Sequence, residues 1–498
     1  MGPIFDELGV EQGGINSGDL YKIFGKDQLT LAQVSELGVL LGNQTISGIG
    51  LADDNVLLSN CLHSLQNLLK LSLRFCSDHH IQLCVDKTKL LAVGTPQMDN
   101  SIEYSKLTSP VNVNGVEVPF SDSAEHVGIL RHEDGNLPHI MNRIKAHQKA
   151  LNAVLHTGAA RNHRGNPAAS TRIEKLYATP KLLSGLGALV LLKSEANIID
   201  HHLKEIHEQL MRLHPSTPQP VVCFLAGCLP GTALVDLRIL SNFGMICSLK
   251  ESILHKHANH VLVQSKPSSR SWFVKVRDLC LQYGLPHPLI LLQSNYSKDQ
   301  YKSMVKKAVV DYSERKLRAD SEPLLSLEYF KPEFMSLTTP HPMWTTAGSC
   351  SYQISMSTIQ AIMVSGRYRT ELLCSKWSPQ ATGNCITPSC LDLTTPEDLH
   401  HILAVCGSLQ PTRERLASFS LKISGQFPAV KHLIDKYCTQ KSPQFVQFLL
   451  DCSVLPDVIL AKQKSGSAIL EPLFRISRTW CYSLHRSRLK ILDRWKKF

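Results

Sequence analysis

The chain has 498 residues, 43% hydrophobic and 19% charged, and its 53 Lys and Arg against 42 Asp and Glu leave a net charge of +11. Such a length suits roughly three domains with sizeable cores, and the composition excludes disordered, collagen-like and coiled-coil classes for most of the chain. The basic excess permits a polyanionic partner without demanding one.

No basic segment followed by an apolar run opens the chain, and no apolar stretch reaches the roughly 18 residues of a membrane span. Neither a signal peptide nor a span is expected. The 15 cysteines are an odd count scattered from Cys61 to Cys481. They point to reduced thiols in an intracellular protein, nuclear or cytoplasmic.

In chain order, 45–50 and 56–58 are short apolar runs on either side of Asp53-Asp54-Asn55, a hairpin pattern. Residues 62–75 place Leu62, Leu65, Leu68, Leu69, Leu71 and Leu73 near helical spacing. Strands are predicted at 81–85 and 90–93, around the turn 86–89. Alternation over 111–118, with a turn at Asn114-Gly115, predicts a hairpin, and a further strand is placed at 126–130. Helices follow over 140–156, 172–192, 196–213 and 234–250, with a linker at 265–271 and Pro-broken short helices to about 349. Amphipathic helices close the chain.

Two Asp at a tight turn hold carboxylates at an exposed edge, where Mg²⁺ could bind through oxygen ligands; plain turn chemistry explains the same residues. Gln12, Gly13 and Gly14 lie in a Gly-rich turn that would let backbone approach a ligand, or simply turn. Cys385, Cys390, His401 and Cys406 are spaced x4, x10 and x4, enough to close a tetrahedral Zn²⁺ site. Cys374 and His400 compete as ligands, and scattered reduced thiols are the plainer explanation. Cys223 and Cys228 enclose Phe-Leu-Ala-Gly, which fits a packed segment better than a metal arm.

The tail carries Arg475, Arg478, Arg486, Arg488, Lys490, Arg494, Lys496 and Lys497, interleaved with Trp480, Tyr482 and Trp495. Cations with aromatics suit phosphate contact and base stacking, or a solvated helix face. The same two explanations apply to 131–164, which includes Arg143 and Lys145. Pro456-Asp457 with Glu471 is a faint nuclease-like set without a clear pattern.

The order of these pieces resembles the reverse transcriptase of LINE-type, non-long-terminal-repeat retrotransposons. The likeness rests on the Gln-Gly-Gly loop, the Asp-Asp hairpin, a helix, Asp86-Lys87-Thr88-Lys89, and His126-Val-Gly-Ile-Leu130. Residues 365–374 with Trp377, which precede the Cys/His cluster, resemble the lead into that family's zinc knuckle. Leu51 stands where the family hairpin usually has an aromatic residue. The resemblance implies Asp53 and Asp54 as Mg²⁺ ligands, Lys87 near nucleotide phosphates, and Gln12, Gly13 and Gly14 beside template and nucleotide. It implies His126–Leu130 as the primer grip.

The expected fold class is therefore α+β: a partial palm at 1–135, a helical thumb-like region at 136–264, a connector at 265–350, a zinc-knuckle region at 351–416 and a basic helical region at 417–498. By resemblance the reaction would be RNA-directed DNA synthesis on an RNA template and a DNA primer or target, with no small-molecule cofactor. The family's remaining metal Asp lies on a strand well before the Gln-Gly-Gly loop, so the chain is expected to be inactive alone. A non-enzymatic nucleic-acid-binding remnant is the alternative, and a decayed product without function a third possibility.

Overall fold

The computed structural model describes residues 17–495 apart from 42–43, 52–53, 82, 93–110, 114–115, 119, 134, 156–164, 267, 392–393 and 440–441. The fold is α+β, mostly helical with a few small antiparallel sheets. The chain divides into two compact units. One comprises Met1–Arg143, Ser184–Glu195 and Ile239–Tyr301; the other comprises Ile144–Leu183, Ala196–Arg238 and Lys302–Phe498. The region expected to be thumb-like thus contributes to both.

The first unit holds four separate hairpins: β1 (Val39–Leu41) with β2 (Gln44–Ile46), β3 (Gly48–Leu51) with β4 (Asp54–Leu57), β5 (Val111–Val113) with β6 (Val116–Val118), and β7 (Ser123–His126) with β8 (Ile129–His132). Among the described residues no two hairpins share a strand. The helix Leu62–Asp78 follows the apolar spacing. Leu62, Leu65, Leu69 and Leu73 pack with Leu90, Val111 and Val118, so its leucine stripe covers the β5–β6 hairpin.

Two predicted stretches fold differently. Residues 81–85 and 90–93 form no strands among the described positions. Val85–Lys87 is instead a 3₁₀ turn, and Leu90 makes a single parallel bridge to Phe120. The cause is local: the Thr88 hydroxyl and N–H both bond to Cys84 O, at 2.9 and 3.1 Å, closing a turn where a ladder would need free groups. Nor is 126–130 one strand. Val127 (φ +54°) and Gly128 (φ +73°) are the two-residue turn between β7 and β8, the left-handed pair that such a hairpin requires.

In the second unit the helix Leu470–Trp495 runs through a large apolar core. Leu473, Phe474, Ser477, Trp480, Cys481 and Leu484 are buried at helical intervals against the helices Ser351–Val364, Gln410–Gln426 and Phe445–Asp451. Two buried side chains pair across it: Trp480 Nε1 donates to Ser420 Oγ at 2.9 Å, and Gln360 Nε2 to Leu449 O at 2.8 Å and Ser477 Oγ at 3.0 Å. No single described helix is long and apolar enough to cross a membrane.

Candidate metal centre

Residues 383–391 and 394–413 gather the four predicted ligands. Cys385 N donates to Thr395 O at 2.9 Å and Glu397 N to Gly383 O at 3.0 Å, so two extended segments close the loop's base. Cys390 ends the 3₁₀ turn Pro388–Cys390. Asp398 Oδ1 accepts from His401 N at 2.6 Å, and the wide turn His401–Val405 is closed by Cys406 N to His401 O at 2.7 Å. A turn of that width brings residues five apart toward the same side, which a normal helical turn would not. Local backbone bonding thus aims all four side chains inward.

Cys385, Cys390, His401 and Cys406 are all buried, and their ligand atoms lie within 4.8 Å of one another. Cys390 Sγ is 4.0 Å from Cys406 Sγ and 3.6 Å from His401 Nε2. A Zn–S bond of roughly 2.3 Å in a tetrahedron sets ligand separations near about 3.8 Å. The set therefore fits a metal such as zinc, by distance and by donor chemistry. His401 Nδ1 is buried without a partner, so nothing competes for the ring from that side. The competing Cys374 and His400 lie outside the cluster.

The surroundings suit thiolates. Thr387 Oγ1 sits 3.2 Å from Cys385 Sγ and 3.3 Å from Cys406 Sγ. The hydrogen bond from Cys385 pulls the Cys406 thiol well below its ordinary value against the cost of burial, with help from Thr387 and His401. The same bond pushes Cys385 up. Arg413, 1% exposed, donates to Cys406 O at 2.7 Å and brings a positive charge beside the sulfurs. Glu397 is also buried and links the loop to the C-terminal helix through Arg488. Sequence reasoning missed Thr387, Glu397 and Arg413. Only the position of Thr387 and Glu397 between ligands could have flagged them.

The remaining predicted site residues scatter. Gln12, Gly13, Gly14 and Asp53 lie outside the described residues. Asp54 is exposed at the end of β4, and Lys87 is exposed on its 3₁₀ turn. Among the described residues Asp54 joins no group able to hold a metal. On the helix Leu137–Val154, Arg143 is half-buried and Lys145 exposed. In the tail, Arg486 and Lys490 are exposed.

Arg488 is a correction. It is buried and its guanidinium is consumed by Glu397, so it presents no charge to a phosphate. Arg478 and Trp480 are likewise interior, the former bonding Phe474 O at 2.8 Å and Gln353 Oε1 at 3.1 Å. No protein-family model matches the chain, and no curated protein matches it significantly.

Proposed function

We propose that this chain is a nucleic-acid-binding protein stabilised by one Zn²⁺ on Cys385, Cys390, His401 and Cys406. The observation that carries the reading is a strip on the helix Leu470–Trp495. Tyr482, Arg486 and Lys490 recur every fourth residue, which puts them on one face. The Arg486 guanidinium sits 5.9 Å from the Tyr482 ring centre, and exposed Tyr352 meets that ring edge-on at 5.5 Å. Exposed cations beside aromatic faces suit phosphate contact and base stacking. Zinc would supply folding energy to the loop, which Arg488 and Glu397 couple to the same helix.

The test is fluorescence anisotropy with single-stranded RNA and DNA oligonucleotides across a salt series, with and without chelator. Binding that weakens steeply with salt and on metal removal is expected. Salt-independent binding, or none, overturns the reading.

A second reading, Mg²⁺-dependent RNA-directed DNA synthesis, draws support from the β3–β4 hairpin with Asp54 at its end. Two ions roughly 3.5–4 Å apart need carboxylates from more than one element, and among the described residues none gathers with Asp54. Primer-extension assays with Mg²⁺ or Mn²⁺ are expected to show no incorporation. Incorporation abolished by Asp53→Ala would establish the polymerase instead.

A further inference from the structure

The helix Gln219–Ala226 ends in a Schellman turn. Gly227 has φ +63°, its N–H bonds to Phe224 O at 3.3 Å, and Cys228 N–H bonds to Cys223 O at 3.0 Å. These two bonds set the residue near the helix end against the second residue beyond it, a contact ordinarily made by apolar side chains. Here both are cysteines, so the turn sets the two thiols beside each other, close enough that each shifts the other's proton affinity, Cys223 upward and Cys228 downward. The turn is held firmly. A Cβ on Gly227 would fall 2.1 Å from the Thr339 carbonyl carbon, and Lys175 Nζ donates to Gly227 O at 2.5 Å.

Cys228 Sγ lies 3.3 Å from His207 Nδ1, and Nε2 of the same ring lies 3.3 Å from Glu174 Oε2. Glu174 also takes His147 Nε2 at 3.0 Å and the Thr179 hydroxyl, so the carboxylate is fixed. Thiol, imidazole and carboxylate therefore stand in line, all buried. Burial opposes charge on His207, yet Cys228 and Glu174 raise it to about 10. The neighbouring Cys223 thiol, and then His207 and Lys175, hold the Cys228 thiol well below its ordinary value despite burial. Other core thiols such as Cys247 and Cys280 have no such partners, and burial pushes each up to about 12.

We propose that Cys223 and Cys228 are a redox pair that hydrogen peroxide closes to a disulfide, with Cys228 as the attacking thiolate and His207 as the proton donor. The Cys228 sulfur attacks one peroxide oxygen and breaks the O–O bond, forming a sulfenic acid. The departing hydroxide takes the His207 proton and leaves as water. The Cys223 sulfur then displaces the sulfenic oxygen, which leaves as a second water with the Cys223 proton. Two sulfurs are oxidised and one peroxide is reduced. Peroxide has only two heavy atoms, which suits a sulfur in a residue that is 3% exposed.

The experiment treats the full-length, metal-loaded chain with hydrogen peroxide, blocks remaining thiols under denaturing conditions, and maps peptides without reduction. The expected product is a 223–228 disulfide, lighter by two hydrogen atoms. Cys223→Ser should leave a Cys228 sulfenic acid that dimedone captures. His207→Gln should slow closure by about tenfold or more, the effect of one pKa unit on the thiolate fraction. The proposal is overturned if peroxide oxidises exposed Cys61 and Cys84 while Cys223 and Cys228 stay reduced. It is equally overturned if dimedone finds nothing on Cys228 in Cys223→Ser.

Discussion

Arg488 and Glu397, 91 positions apart in the sequence, form a two-pronged ion pair inside the second unit: Nε reaches Oε1 at 3.0 Å and Nη2 reaches Oε2 at 2.6 Å. Glu371 N also donates to Oε2 at 2.8 Å, and the Arg488 guanidinium lies 5.8 Å from the Tyr368 ring centre. The pair ties the Cys/His loop to the C-terminal helix, and both members are almost fully buried.

Removing one member strands the other's charge without water. Arg488→Ala should therefore cost about 3–5 kcal/mol, as other broken buried pairs do. Urea unfolding of the variant measures this. A change below about 0.5 kcal/mol, the scale of surface substitutions, would show that the pair contributes little.

Metal analysis of the purified chain should find one Zn²⁺. His401→Ala or Cys406→Ala should lose it, because three remaining ligands leave a structural site open. Cys374→Ala and His400→Ala should retain it, since neither side chain belongs to the cluster. Chelation should lower the thermal midpoint of the wild type, Cys374→Ala and His400→Ala, and leave those of His401→Ala and Cys406→Ala where they were. A full zinc complement in Cys406→Ala would rule the assignment out.

Replacing Arg486 and Lys490 by Ala should flatten the salt dependence of oligonucleotide binding. Each lost phosphate contact lowers the log–log slope by roughly 0.7–0.9. Tyr482→Ala should weaken binding by about 1–3 kcal/mol while leaving that slope in place, because stacking releases no counterions. Unchanged slope and affinity in both variants would make the strip an ordinary solvated face.

Acid sensitivity follows from His202, whose Nε2 lies 3.0 Å from His147 Nδ1. Burial, and then repulsion from His147, hold its pKa down to about 4, with Glu174 opposing. Unfolded, the ring takes its proton near about 6.5. Between those values the unfolded chain binds more protons than the folded one, so stability rises with pH through the window and is lost as pH falls. Moving from pH 7 to about 4.5 should cost the wild type on the order of 2 kcal/mol more than His202→Gln. Equal acid sensitivity in denaturant melts would remove His202 from the account.

Much of this was legible locally. Leucine spacing alone marks the helix Leu62–Asp78, and Asn114-Gly115 marks the β5–β6 hairpin, because each signal is satisfied within its own few residues. The spacing of Cys385, Cys390, His401 and Cys406 likewise marked a set able to hold a metal, since a short loop can bring such residues together unaided. Even the burial of Arg488 was within reach. Ser477, Cys481, Leu484 and Arg488 follow one another at helical intervals along the buried stripe, while Tyr482, Arg486 and Lys490 fall on another face.

What periodicity could not supply was a partner. Glu397 meets Arg488, and Glu174 meets His147 and His207, across 91, 27 and 33 positions. Helical phase says only that a side chain turns inward. Whether it finds a carboxylate, a thiol or an apolar wall there depends on which distant segment packs opposite, and only the tertiary structure decides that.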